Sequence, residues 1–594
     1  MEDNRRSAIA IFLCIVIVLV WTQYIQVTQF PNAGRAQVQV TPQAGVPAPV
    51  GQMDASPSPA VSAQLSAAVA APAPSQTGRA SLEAIEKSEL LTVETSLVTM
   101  QVSRLGGRIY SFKLKGYKKE LRSEEPLELV SRRDGSALPL GVYSAQYNDE
   151  QVLYAVKASD NALPDGRYRT SLGGELKLEM TGRFPDGSTI NKTLGIRDDS
   201  FLVKVGVSLP QSAQSANPLW LEWTAYSAAE RIDNRIDPEQ YTTLAAGGKL
   251  ETVQLRFPER VKDFEGASWG AFGDKYFMAA LVPPEQSGRV VRVAREDVAA
   301  PVLAGAPAGA VTAGGGVFSL FVSGAAAGGE FALYAGPKDY RVLRDAGYDL
   351  FRGIDLGTFS FISYPLLRLV SIFHGLLANY GLAIILLTLV IKALFLPLTK
   401  ASFKSMKAMQ DIQPEMKALR ERIKDPTKLN QEMGALFKKH GVNPMGGCLP
   451  IAVQLPVWLG LYWSLSLSIE LRHAPFALWI NDLSAPEHLE LFGIGIPVMV
   501  LLMGLSMFLQ QLSMPNTAAD PTQQKIMMFT PVIFTAMFII FPMPSGLVLY
   551  WLISNVISIT QQMFLRKSGG ISAELATLIA SVGIFAFGYI LTLL

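Results

Sequence analysis

Cysteine and histidine are nearly missing from this chain, with two and four copies in 594 residues. Cys14 and Cys448 lie in or beside separate apolar runs and cannot pair, so the long polar segment between them carries no disulfide. His374, His440, His473 and His488 are scattered without ligand spacing, which leaves no Cys/His metal cluster to draw on. A Gly-rich phosphate loop, a nucleophile elbow and a paired-carboxylate constellation are also missing. The chain therefore reads as non-enzymatic, with no cofactor and no metal. A net charge of +2 carries little information, because the charges are segregated along the chain.

What the chain has is apolar length. Hydrophobic residues make up 49% and cluster at the N-terminus and after residue 360, whereas charge gathers in 81–345 and 399–443. This is the profile of a multi-span helical membrane protein with one large soluble domain. Ser7–Ile25, preceded by Arg5 and Arg6, reads as an uncleaved anchor in preference to a cleaved signal peptide. Residues 1–28 are thus an N-terminal transmembrane anchor whose basic flank stays in the cytosol. Residues 31–80 hold thirteen alanines, eight prolines and three charges, so 29–80 is a disordered linker.

Residues 81–345 alternate with period two in Leu91–Val102, Leu176–Met180 and Phe201–Val207, punctuated by Gly106-Gly107, Pro185-Asp186-Gly187 and Pro283-Pro284. That pattern predicts an antiparallel β-sandwich. A scaffold or docking role suits it better than sugar or peptide binding. Residues 346–378 lead through an amphipathic stretch, Phe361–Ala378, that predicts an interfacial helix.

A span over 379–398 follows, and it contains Lys392. Two readings fit a lysine there: a side chain snorkelling toward Lys400, or a functional charge in a polar cavity. Residues 399–443 hold ten Lys/Arg and five Asp/Glu, with a stripe of Met406, Met409, Ile412, Met416, Leu419 and Ile423. This predicts a cytoplasmic helical hairpin, which serves as a topology signal or as a docking arm for an anionic partner such as a ribosome. Further spans are expected at Gly447–Ser468, Gly493–Gln511, Lys525–Phe541 and Gly546–Leu565 within 444–567, with a polar outer loop over Glu470–Leu491. Residues 568–594 form an extra apolar segment whose stretch Ile571–Leu594 either spans or lies peripherally; Gly583 and Gly588 are not at GxxxG spacing, so its packing face is open.

Several spans carry polar residues that lipid would penalise. Gln510, Gln511, Gln561 and Gln562 sit near cytosolic ends, where interface placement explains them. Thr388, Gln454, Thr535 and Asn555 are deeper. Thr388 shares a face with Lys392, four residues on. No Asp or Glu lies within these spans to neutralise Lys392. A lysine in wet polar company, without an acid, favours a groove that receives an anion.

The motifs over 392–563 resemble the YidC family of membrane protein insertases. The resemblance is carried by Lys392 with Pro397-Leu398-Thr399, and by Asn443-Pro444-Met445-Gly446-Gly447-Cys448. Gln454-Leu455-Pro456, Ala474 to Ile480 with Asp482-Leu483-Ser484, Asp520-Pro521, and Pro544-Ser545-Gly546-Leu547 through Ser554-Asn555 extend it. In the outer domain, Gly106-Gly107, Trp269-Gly270 and Asp274-Lys275-Tyr276-Phe277 resemble the β-supersandwich of Gram-negative members. The resemblance implies a five-helix insertase core in the bacterial inner membrane, with a periplasmic sandwich. It implies insertion and folding of nascent membrane proteins, alone or with the Sec translocon, through a cytosol-open groove. Lys392 would supply the groove charge, Thr388, Gln454, Asn555 and Thr535 the lining, and Trp458, Tyr550 and Trp551 the substrate contacts. Implied partners are nascent chains, the ribosome, the Sec translocon and lipids, without sequence-specific nucleic acid binding. The alternatives are a Sec-associated assembly chaperone without insertion activity, and an anion transporter or channel. Family members usually place arginine where Lys392 stands; lysine keeps the charge and loses the planar fork.

Overall fold

A computed structural model describes residues 81–132, 137–159, 163, 167–209, 218–227, 239–245, 248–255, 260–284, 289–298, 315–356, 359–442, 449–514, 521–566 and 573–593. The expected anchor, the linker, the Asn443–Cys448 motif and Asp520 lie outside the described residues. The chain divides into two compact units, at Gly353 and Ile354.

The first unit is built on β-sheet. A nine-stranded sheet runs from Leu250–Gln254 at one edge, through Phe277–Val282, Gly328–Pro337 and Leu202–Ser208 at its centre, to Ala155–Ala158 at the other edge. One five-stranded sheet is centred on Gly315–Gly324 and another on Val98–Ser103. The pairings between named strands are antiparallel except Leu90–Glu94 with Tyr168–Arg169. Leu91–Val102 resolves into two strands joined at Thr95-Ser96-Leu97, and Leu176–Met180 and Val203–Val207 fall inside single strands. Glu175–Arg183 is buried at every second residue, as its alternation predicts.

Gly270 explains how closely two sheets pack. A Cβ at that position would lie 2.5 Å from Val291 Cγ1 and 2.8 Å from Leu320 Cδ1 on the Gly315–Gly324 sheet, so a larger residue would push those side chains aside. A buried ionic knot joins all three sheets. Lys192 Nζ donates to the carbonyls of Gly106, Gly107 and Leu140 and to Asp149 Oδ2 at 2.6 Å. Arg108 lies 3.5 Å from Asp149 and 3.6 Å from Glu222. Burial drives the Lys192 ammonium pKa down, and Asp149 opposes that shift. The Gly106-Gly107 turn, with φ of 73° and 55°, is what brings its two carbonyls to one lysine.

The second unit is helical. Ser360–Leu377 is long and apolar enough to cross a membrane as well as to lie along one. Gly460 lets the helix Leu449–Leu467 approach it, since a Cβ there would meet Ile362 at 2.9 Å. Asn379 caps the helix Tyr380–Leu394 by accepting from Leu382 N. The expected span 379–398 is not one straight helix: Tyr380–Leu394 and Leu396–Asp411 meet at Phe395 with a bend of 58°. Pro397 has no N–H for the Ala393 carbonyl, and the Phe395 amide turns to that carbonyl and to Ile391. The same device recurs at Ile412, two residues before Pro414, where the Ile412 amide bonds to Ala408 and Gln410. The single Met-rich helix expected there is therefore two, Leu396–Asp411 and Gln413–Arg422, followed by Pro426–His440. Met409, Ile412 and Met416 from the predicted stripe form a small core with Leu436 and Val442.

Val498–Ser513, Pro521–Ile540, Ser545–Arg566 and Ala573–Leu593 complete the unit. The span expected from Gly493 begins five residues later, because Leu489–Leu491 and Ile494–Ile496 pair as a β-hairpin and Pro497 opens the helix. Val498–Ser513, with 16 residues, reaches ~24 Å, short of a ~30 Å hydrocarbon core. The C-terminal helix Ala573–Leu593 packs on Tyr380–Leu394 through Gly588, where a Cβ would stand 2.9 Å from Ile385, with Ile584 and Phe585 beside it.

Candidate functional site around Lys392

One end of the helical bundle is tied by the Ala474–Ser484 loop. Asn379 Nδ2 donates to the Phe476 carbonyl at 3.0 Å, and Gly381 is glycine because the Phe476 ring occupies the place of a Cβ. The Ser545 hydroxyl donates to the Asp482 carbonyl at 2.7 Å, and Gly546 N donates to Leu483 O at 2.9 Å. These bonds use the loop motif that the sequence singles out and hold the Lys392 helix against the helix Ser545–Arg566.

Lys392 lies in the last turn of its helix, partly buried. Its ammonium donates to Ser558 Oγ at 2.8 Å, and Ser558 in turn donates to the Ser554 carbonyl at 2.9 Å. Among the described residues no carboxylate lies within ion-pair distance of Lys392. A hydroxyl accepts one hydrogen bond from an ammonium that offers three, and it does not neutralise the charge.

The other expected lining residues are placed separately. Thr388 is fully buried, but its hydroxyl donates back to the Ile384 carbonyl at 2.7 Å, within its own helix. Asn555 Nδ2 donates to Ser506 Oγ at 2.9 Å, joining the helix Ser545–Arg566 to Val498–Ser513. Thr535 donates to the Pro531 carbonyl and faces Gly504, where any Cβ would overlap its hydroxyl. Gln454 is partly buried, and the Tyr550 hydroxyl is buried with no hydrogen-bond partner among the described residues. No hydrogen bond joins Lys392 to any of these four side chains among the described residues.

The three expected contact residues divide. Trp458 and Trp551 meet edge to face at 5.4 Å, with Tyr462 stacked on Trp458 and Phe538 5.3 Å from Trp551. Both tryptophans are partly buried, whereas Tyr550 is 2% exposed and packs into the helical core. The sequence reading passed over Ser558, Ser506 and the depth of Gln561 and Gln562. The two glutamines are buried among helices, and the Gln561 amide has no hydrogen-bond partner among the described residues. Their signal was present: Ser554, Ser558, Gln561 and Gln562 recur at helical spacing on one face.

With this geometry in hand, comparison places the chain. The family model for the YidC periplasmic domain matches residues 90–369, and that for the 60Kd inner membrane protein matches 372–571. The membrane protein insertase YidC of Pelobacter propionicus is 36% identical over 507 residues, covering 82% of this chain and 88% of its own. That of Syntrophus aciditrophicus is 35% identical over 502 residues, covering 82% and 86%. The crystal structure of an active YidC insertase with its first transmembrane domain resolved aligns at 17% identity with a TM-score of 0.35, covering 81% of this chain and 92% of that one. The sequence relatives carry the assignment: the chain belongs to the YidC family of membrane protein insertases.

Proposed function

We propose that Lys392 is the charge that draws acidic residues of a nascent chain into a hydrophilic groove, open to the cytosol and lined by Thr388, Gln454, Asn555 and Thr535. The observation that carries this reading is the Lys392 ammonium itself, whose one acceptor among the described residues is the neutral Ser558 hydroxyl. A cation in an apolar bundle is expensive without an anion, and an acidic tail in transit supplies one for the duration of the step. The apolar part of the incoming segment then passes into lipid along Trp458 and Trp551, with hydrophobic transfer as the driving force. Tyr550 would join those contacts only after the core around it opens. No bond is made or broken, so the step needs no nucleophile and no nucleotide.

In this reading the protein sits in the bacterial inner membrane, with residues 1–28 as anchor, N-terminus in the cytosol, 29–80 as linker and the sandwich in the periplasm. The basic segment 399–443 faces the cytosol, where it meets the ribosome, and the helical unit works alone or beside the Sec translocon. The test is insertion of a single-span substrate with an acidic tail by Lys392→Met and Lys392→Arg. Arginine keeps the rate near that of lysine and methionine lowers it. Equal rates for methionine and lysine on every substrate would remove the charge-attraction role.

A further inference from the structure

The hairpin that displaces the start of the helix Val498–Ser513 has an unusual surface. Its register sets Leu489 opposite Ile496 and Leu491 opposite Ile494. Period-two alternation then gathers four aliphatic side chains on one face, and Glu490 with Gly495 on the other. The turn is Phe492-Gly493, with φ of 54° and 76°. Two-residue turns of that hand favour Asn, Asp or Gly at the first position, and an aromatic residue there is strained. Phe492 is 103% exposed, Ile494 66% and Leu491 44%. A two-stranded hairpin with its apolar face in water is marginal at best, so this sequence is suited to a different solvent.

Two observations identify that solvent. Glu487 accepts from Trp479 Nε1 at 2.8 Å and from the Met499 amide at 2.6 Å, which pins the root of the hairpin to the first turn of the helix. That helix itself exposes Leu501, Leu502, Leu505 and Leu509, a leucine-rich side suited to acyl chains. The hairpin belongs to the end of the bundle where the Ala474–Ser484 loop bonds to Asn379, while the basic segment leaves from the far end of the Lys392 helix.

We propose that the hairpin is a lipid anchor: Leu491, Phe492 and Ile494 insert into the bilayer leaflet opposite the basic segment, with Glu490 turned to water. Its partner is the headgroup and upper acyl region of that leaflet, and its effect is to hold the outer end of a helix too short to reach the interface by itself. This goes beyond the Lys392 reading and does not depend on it.

The experiment uses the full chain with Cys14→Ser and Cys448→Ser, carrying a single Glu490→Cys, Phe492→Cys or Ile494→Cys labelled with an environment-sensitive fluorophore. The protein is reconstituted in phosphatidylethanolamine–phosphatidylglycerol vesicles. Expected are quenching at 492 and 494 by lipids spin-labelled near the headgroup, severalfold weaker quenching there by iodide than at 490, and the reverse at 490. Adding Phe492→Asn, which suits the turn better, weakens lipid quenching at 494 while the melting temperature in detergent holds or rises. Iodide reaching 492 and 494 as freely as 490 overturns the proposal. So does shielding from both quenchers, which would place a protein partner on this face.

Discussion

Replacing Lys392 by methionine gives the sharpest test of the site, because the structure bounds the size of the effect. An incoming carboxylate that takes the place of Ser558 would approach Nζ to ~4 Å. The attraction there is about 1 kcal/mol in bulk water and about 4 kcal/mol at an effective dielectric near 20. Lys392 is partly buried, so the value falls between those limits. At ~1.4 kcal/mol per tenfold in rate, Lys392→Met should slow entry of an acidic-tailed substrate between about fivefold and about a thousandfold. The assay is the time course of protease protection in proteoliposomes, with an Asp/Glu tail compared to an Asn/Gln tail of equal length. Lys392→Arg should restore most of the acidic-tail rate, since charge and not fork geometry is used. Added salt should shrink the difference only in part, because a half-buried pair is incompletely screened. Methionine slowing both tails equally would refute the reasoning, because the lysine would then be a packing element that holds Ser558.

In the sandwich, Lys192→Met leaves the buried Asp149 carboxylate with fewer partners and should destabilise the domain by about 3–5 kcal/mol in urea denaturation. The double variant with Asp149→Leu should lose less than the sum of the two single variants. Asp198 is held below the ordinary aspartate range by the Thr170 hydroxyl and by Ser96. Its contribution is complete above the unfolded value of ~3.9 and is lost as pH falls through the lower folded value. Asp198→Asn should therefore cost about 1–3 kcal/mol at neutral pH and flatten the acid limb of a stability–pH curve. Gly504→Ala pushes a methyl into the Thr535 hydroxyl and should cost about 1–3 kcal/mol of stability in detergent, measured as a fall in melting temperature that Thr535→Ala partly restores.

The placement of elements was largely legible in the sequence, since it rests on local periodicity. Glu175–Arg183 buries alternate residues as its pattern requires, and the Met409/Ile412/Met416 stripe becomes a core. The misplaced boundaries share one cause. At Phe395 and Ile412 a proline two residues downstream withdraws an amide from the helix, so a run that is continuous in hydrophobicity is broken in hydrogen bonding. Gly493 could open a helix or turn a hairpin, and only the cross-strand pairing with Leu489–Leu491 decides between them.

What the sequence by itself determined is the division into a β-rich domain and a helical membrane unit, the position of a lysine among apolar residues, and the family. These follow from composition, period and ordered motifs, which are properties of neighbours along the chain. The tertiary structure decided which polar groups meet. It set Lys392 on Ser558, 166 residues away, bonded Thr388 to its own helix, turned Tyr550 inward and left Phe492 in the open. Those outcomes depend on how separate helices cross and on which side chains press against the backbone at Gly381, Gly504 and Gly588. Hydrophobic patterning gives each helix an apolar face, but only packing against the other helices determines which polar partner an inward side chain finds.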